Sequence, residues 1–384
     1  MIKGDYPLEQ FRQRRTPFYY YDTPLLRETL RVAGEQLADR PDWRIHYAIK
    51  ANFNPEILRI IAEAGFGADC VSGGEVRAAL DAGFPPATIV FAGVGKTDDD
   101  IRLGLSEGIG RFNVESTAEL LVIDEIAGMT GCRAAVSFRV NPDVGAHTHA
   151  NITTGLAENK FGIHHSQIED AIRLAERLQH VDFVGLHFHI GSQILDMSDF
   201  VALSNRINGC ISQLSLKGIK VRDINVGGGL GIEYEHPNHL PIADFASYFN
   251  VFKRHLQAKC PVHFELGRSL VAPCGTLISR VLYVKDGLYK QFAILDASMT
   301  ELIRPALYQA YHRIENLSSD GPEEKYDVVG PVCESSDVFG KGVLLNKCRR
   351  GDFVAIRSTG AYGESMASNY NCRPLPAAYF GEGK

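Results

Sequence analysis

No stretch of this sequence is apolar over the ~18 residues that a membrane-spanning helix requires; its best apolar runs are broken by His, Gly or Asp. Positive charge is not in excess either. Forty Lys and Arg stand against 46 Asp and Glu, a formal net charge of −6. A general nucleic-acid binder would show a basic stripe, and a protein drawn to anionic membranes would be cationic. The eight cysteines, at positions 70, 132, 210, 260, 274, 333, 348 and 372, form no C-x-x-C pair. A structural zinc site and a disulfide framework are therefore not expected, and reduced thiols in the cytoplasm are the plain reading. Residues 1–22 have no apolar run after their charges, so no secretory signal is expected. Internal repeats, low-complexity tracts and long Pro/Ser linkers are also missing.

What remains is an ordinary globular balance, 45% hydrophobic and 22% charged over 384 residues. That length suits two domains, or one large barrel with an appendage. Eight short apolar or β-branched segments recur, each running into polar or glycine-rich sequence: 44–50, 66–72, 88–93, 111–116, 134–141, 183–192, 223–229 and 262–268. Near-continuous apolar runs suit strands buried on both faces. Amphipathic helical segments lie between them. NPEILRIIAEAG places Ile57, Ile60 and Ile61 on one face, and STAELLVIDEIAG opens with Ser116 and Glu119 in capping-box spacing. Eight alternations predict an α/β fold, a (β/α)8 barrel over 25–268, with catalytic groups at the C-terminal ends of its strands. Beyond about residue 270 long helical patterns become scarce. The predicted second domain, 1–24 with 269–384, is β-rich, with TPFYYYD supplying an early strand.

Lys50 closes the first barrel strand, in YAIKAN. A lysine buried there would favour its neutral amine, the form that makes a Schiff base; the plain alternative is a solvated strand-end lysine. Gly227, Gly228 and Gly229 end the seventh strand, and Gly267 the eighth. Loops after those two strands often bind phosphate in barrels, although tight turns need glycine too. Glu265, in HFELGR, is costly to bury unpaired. Its partner is either a protonated ring nitrogen or a structural arginine, Arg268 or Arg139. His187 and His189 alternate in LHFHIGS and are expected on one strand face. They suit a ring packed on a planar cofactor, or an H-x-H metal pair as in barrel hydrolases, or plain core histidines. Cys333 and Glu334 lie in GPVCESSDVFG, where Glu334 and Asp337 suggest an acidic, exposed loop. Arg304 and Tyr308 stand one helical turn apart and could recognise a carboxylate. Tyr362 has glycines on both sides of its segment, allowing close approach to a ligand. The excursion 143–163 reads as a lid or a surface loop, with His147 and His149 solvated.

Together the segments YAIKAN, GADCVSGGE, FHIGSQ, GGGLGIEY, ELGRSLV, IRPALYQAYH, GPVCESSDVFG and GAYGESMASNYNCRP, running in order from 47 to 374, resemble the fold-type III pyridoxal-phosphate decarboxylases. The resemblance is closest to the diaminopimelate decarboxylase family. It implies that Lys50 carries pyridoxal 5'-phosphate, that His189 stacks on the ring, and that Glu265 pairs with the ring nitrogen. It also implies that Gly228, Gly229, Gly267 and Tyr362 bind the phosphate. Arg268, Arg304, Tyr308, Glu334 and Tyr362 match substrate positions, with Arg268 and Tyr362 serving the cofactor as well. Cys333 matches the proton donor, on a loop that in this family enters the other subunit's site, so a homodimer is implied. The expected substrate is meso-2,6-diaminopimelate and the product L-lysine. Carboxynorspermidine, ornithine or arginine remain alternatives on the same fold. A metal-dependent hydrolase using His187 and His189 is the alternative of another class. The sequence departs from the family in reading ELGR for the usual EPGR, and CESSD for CESGD.

Overall fold

The structure is a computed structural model that describes residues 4–141 and 160–381. Seventeen strands are present among them: β1 Phe18–Asp22, β2 Trp43–Ala48, β3 Gly67–Cys70, β4 Ile89–Phe91, β5 Arg111–Val114, β6 Ala134–Asn141, β7 Ile163–His164, β8 Val181–His187, β9 Asp223–Asn225, β10 Val262–Leu266, β11 Gly275–Asp286, β12 Gln291–Leu295, β13 Ile314–Asn316, β14 Glu323–Val329, β15 Val338–Asn346, β16 Phe353–Ile356 and β17 Ala377–Gly381. The chain divides into two compact units. One holds 30–231 and 244–267, the other 4–29, 232–243 and 268–381. The excursion 232–243, inside the span expected for the barrel, thus groups with the β-rich unit. Most of the lid candidate 143–163 lies outside the described residues. No helix among the described residues is long and apolar enough to cross a membrane.

The first unit is the barrel. Its parallel strands run β5-β4-β3-β2-β10-β9-β8-β6, and β5 pairs with β6 to close the ring. All eight expected segments supply one strand each, although several strands end earlier than the apolar pattern does. The helices form for local reasons. Asn54 caps Pro55–Glu63 by accepting from the Glu56 N–H, and that helix buries Ile57, Leu58, Ile60 and Ile61. The capping box expected at Ser116 is half made. Ser116 accepts from the Glu119 N–H, but Glu119 turns instead to the Glu115 N–H and to the buried Lys96 ammonium. An ion pair out of water outcompetes a backbone cap.

Inside the barrel the lower layer is polar. The carbonyl of Thr88 can only accept, so His46 donates to it from Nδ1 at 3.0 Å. His46 Nε2 then accepts from His263 Nδ1 at 2.9 Å, and His263 Nε2 accepts from Arg111 at 3.1 Å. Arg111 is itself paired with Asp223. Both rings are neutral in this chain. Burial first, and Arg111 second, push His46 down to about 4 and His263 to about 2. Unfolded, each takes its proton near 6.5. Below that pH the unfolded state binds more protons, until the folded values are reached. Stability should therefore fall as pH drops from 6.5 towards 4, by at most about 1.4 kcal/mol per pH unit for each histidine. Thermal unfolding at pH 7.5, 6.5 and 5.5 checks this; a flat Tm would mean that the rings are not held neutral.

The second unit is a β sheet of order β13-β16-β11-β12-β14-β15, with β1 pairing β11 and β17. As expected, 18–22 belongs here. Its alternate Phe18 and Tyr20 pack with Phe11, Ile278 and Phe353. The only α-helices of this unit beyond 267 among the described residues are short, Arg268–Val271 and Arg304–Tyr308.

Candidate active site

In the barrel, Lys50 does not end a strand. β2 stops at Ala48, and Lys50 follows on a 3-10 turn, Ile49–Ala51. Its side chain is 44% exposed, with Nζ 4.0 Å from Asp69 Oδ2. The expectation of burial fails: the side chain stays partly exposed while its ammonium faces Asp69 on the next strand. Asp69, on β3, is buried, and one of its oxygens has no hydrogen-bond partner among the described residues. Burial first, then the charge of Glu265, raise its carboxyl well above the usual range, against the pull of Lys50. Gly267 lies against Ala48 and Ala51, on either side of Lys50, where a Cβ would sit a tight 3.1 Å from both alanine methyls.

Glu265 pairs with neither Arg268 nor Arg139. Arg139 bonds Glu115 at 3.0 Å and stacks over Phe161. Glu265 Oε2 meets His187 Nε2 at 3.0 Å, while Oε1 accepts from Asn113 at 3.1 Å and Asn225 at 2.7 Å. Burial would raise this carboxyl, but His187, next in weight, overrides it, and the group is held below the usual range. It is a carboxylate.

The two histidines do not share a strand face, because β8 ends at His187. The chain then leaves the sheet and His189 faces the glycine turn, its Nδ1 accepting from the Gly228 N–H at 3.3 Å. Burial first, then the Arg139 and Lys50 cations, hold the His189 ring well below its usual value, and it is neutral. Among the described residues no group of His, Cys, Asp and Glu is arranged to hold a metal.

The glycine turn is required by space. Gly227 has φ +73°, and a Cβ on Gly228 would lie 1.8 Å from the Glu265 carbonyl oxygen. Gly228→Ala should force the ends of β9 and β10 apart, lowering Tm by several degrees and weakening pyridoxal phosphate binding about ten-fold or more. Absorbance titration of the apoprotein reads the second effect; unchanged affinity would show that the turn does not cradle the cofactor.

The β-rich unit brings Arg268, Arg304, Tyr308 and Tyr362 together. The Arg268 guanidinium lies 5.0 Å from the Tyr362 ring centre, and that of Arg304 5.9 Å from both Tyr362 and Tyr308. Both arginines are buried. Two residues that the sequence reading did not single out hold them. Tyr234 OH accepts from Arg268 at 2.8 Å, and His312 Nε2 from Arg304 Nε at 3.3 Å. Burial alone would raise the Tyr234 phenol, but the two guanidiniums draw it below its usual value. Burial, then Arg304, push His312 down to about 3, keeping it neutral. Tyr362 has φ +57°, uncommon for a bulky residue and a mark of a functional constraint. Cys333 is exposed, and its neighbour Glu334 accepts from Tyr370 at 2.6 Å and Ser336 at 3.1 Å. Asp337, expected to be exposed beside them, is buried instead. It accepts from the backbone of Met299 and Val332 and so shapes the loop.

The barrel residues fit pyridoxal phosphate: an accessible lysine, a carboxylate ready for a protonated ring nitrogen, a neutral histidine ring, and a turn whose space is closed to side chains. Fold and site together define a barrel enzyme of the pyridoxal-phosphate class. Residues 25–272 match the family model of the pyridoxal-dependent decarboxylase, pyridoxal binding domain. A diaminopimelate decarboxylase of Bacteroides thetaiotaomicron is 60% identical over 380 residues, 98% of each chain. The crystal structure of diaminopimelate decarboxylase from Helicobacter pylori, complexed with L-lysine, superposes with a TM-score of 0.90 at 40% identity, covering 98% of this chain and 94% of that one. The enzyme from M. jannaschii in co-complex with L-lysine gives 0.88 at 36% identity, over 97% and 89%. The chain belongs to the diaminopimelate decarboxylase family.

Proposed function

We propose that this chain removes carbon dioxide from meso-2,6-diaminopimelate to give L-lysine, working in the cytoplasm as a homodimer with pyridoxal phosphate on Lys50. The observation that carries the substrate class is the buried pair Arg268 and Arg304, which converge on Tyr234, Tyr308, Tyr362 and a neutral histidine. Planar guanidiniums in that setting suit a carboxylate. A simple diamine-forming decarboxylase has no distal carboxylate to hold. Eight free thiols agree with a reducing compartment.

When bound, the cofactor supplies an electron sink for the pair left behind as the carboxylate departs. The protein's own residues do the rest. Lys50 would hold the cofactor through its amine, with Asp69 beside it as a partner for its proton. Glu265 stays ionised and so keeps the ring nitrogen protonated. The neutral His189 ring would pack against the bound cofactor, and Gly228, Gly229 and Gly267 would leave space for its phosphate. Arg268, Arg304, Tyr308 and Tyr362 orient the substrate, and Glu334 receives its amine. The Cα–carboxylate bond breaks, carbon dioxide leaves, and the Cys333 thiol gives its proton to Cα.

The test is to incubate the purified protein with pyridoxal phosphate and meso-2,6-diaminopimelate and to follow lysine and carbon dioxide. Equal amounts of the two are expected. No lysine with an intact cofactor band would move the substrate to the polyamine-type alternatives. No lysine and no band would overturn the role of Lys50.

A further inference from the structure

The carboxylate of Glu265 is held by side chains from three other barrel strands. Asn113 comes from β5, His187 from β8 and Asn225 from β9, and all three are buried. A carboxylate offers about four acceptor positions. Two on Oε1 are taken by the asparagines and one on Oε2 by His187, so the open one is on Oε2. Every neighbour in this set presents a donor, which favours the charged form of the acid.

The orientation of Asn225 is fixed independently. Its Oδ1 accepts from the Gly227 N–H at 2.9 Å, so its NH2 must face Glu265. The Asn113 side chain makes no second hydrogen bond among the described residues. Its Oδ1 is buried without a hydrogen-bond partner among the described residues, which is unfavourable unless its bond to Glu265 compensates.

We propose that Asn113, His187 and Asn225 are positioning residues that hold Glu265 as a carboxylate with a single open acceptor on Oε2, and that Asn225 also ties this acid to the glycine turn. The proposal rests on the functional reading above, in which Glu265 meets the ring nitrogen of the cofactor. An acid stabilised in its charged form leaves the shared proton on nitrogen. Without the donors, the proton would move to the carboxyl, and the electron sink would weaken.

The test uses holoenzyme loaded with pyridoxal phosphate labelled with nitrogen-15 in the ring, whose chemical shift reports protonation directly. The wild type should read as a pyridinium. Asn113→Leu and Asn225→Leu should move the signal towards neutral pyridine and weaken cofactor affinity about ten-fold or more. A merely structural role would lower Tm and leave the shift alone. Folded variants with the wild-type shift would overturn the proposal. Should Asn225→Leu fail to fold, Asn113→Leu decides, because that amide engages Glu265 alone. A neutral ring nitrogen in a wild type that still makes lysine would overturn the proposal and leave the decarboxylase reading standing. A wild type that takes up no cofactor would overturn both.

Discussion

Lys50→Ala should leave a folded protein that shows no visible cofactor band after dialysis and turns over on the order of a thousand-fold more slowly or worse. The reasoning is geometric. Lys50 lies on the 3-10 turn after β2 with its side chain 44% exposed, so truncation to alanine removes little buried surface. Its loss should hardly move the Tm of the apoprotein. It should remove the covalent anchor that holds the cofactor against Glu265 and His189. Absorbance of the dialysed protein and a lysine-release assay check the two halves separately. A variant that keeps both band and turnover would end the mechanism proposed here.

Cys333→Ala should give the opposite pattern. The cofactor band should survive, while turnover drops about a hundred-fold or more, the usual effect of losing a general acid. Cys333 is exposed on a loop shaped by the buried Asp337, so the substitution touches no core. The pair of variants also tests the proposed assembly. If Cys333 serves the partner's site, mixing Lys50→Ala with Cys333→Ala subunits builds hybrid dimers with one intact site. Random reassortment should restore about a quarter of the wild-type activity from two inactive proteins. If each chain used its own cysteine, no mixture would recover any.

The barrel was legible in the sequence because parallel strands buried on both faces must be apolar almost throughout, and all eight segments announce themselves that way. The β-rich unit was legible from the loss of helical periodicity after 270. What failed were the endings. The apolar run into Lys50 continues past the point where β2 stops, so the 3-10 turn and the exposure of the amine were invisible. LHFHIGS alternates like a strand, yet the ladder ends at His187 and frees His189 to turn to Gly228. The partners of Glu265 were hidden for a different reason. Asn113 and Asn225 sit in RFNVES and DINVGGG, where an asparagine at a strand end reads as turn chemistry. Only closure of the ring brings residues 113, 187, 225 and 265 into one layer. Tyr234 was hidden likewise, 34 residues from the arginine it holds, while His312, eight residues after Arg304, reads as one more residue of a helical segment.

One strand of the β-rich unit has a history that the finished molecule conceals. β1, Phe18–Asp22, lies between β11 and β17 in its sheet, so its neighbours begin at Gly275 and Ala377. In the chain that strand precedes the whole barrel, and both of its partners follow it. The whole barrel can be synthesised and closed while an aromatic segment, FYYYD, waits with its backbone unpaired. Nascent chains of this protein therefore carry a sticky edge until both partners have been made. Pairing with β17, the later of the two partners, is what seals it.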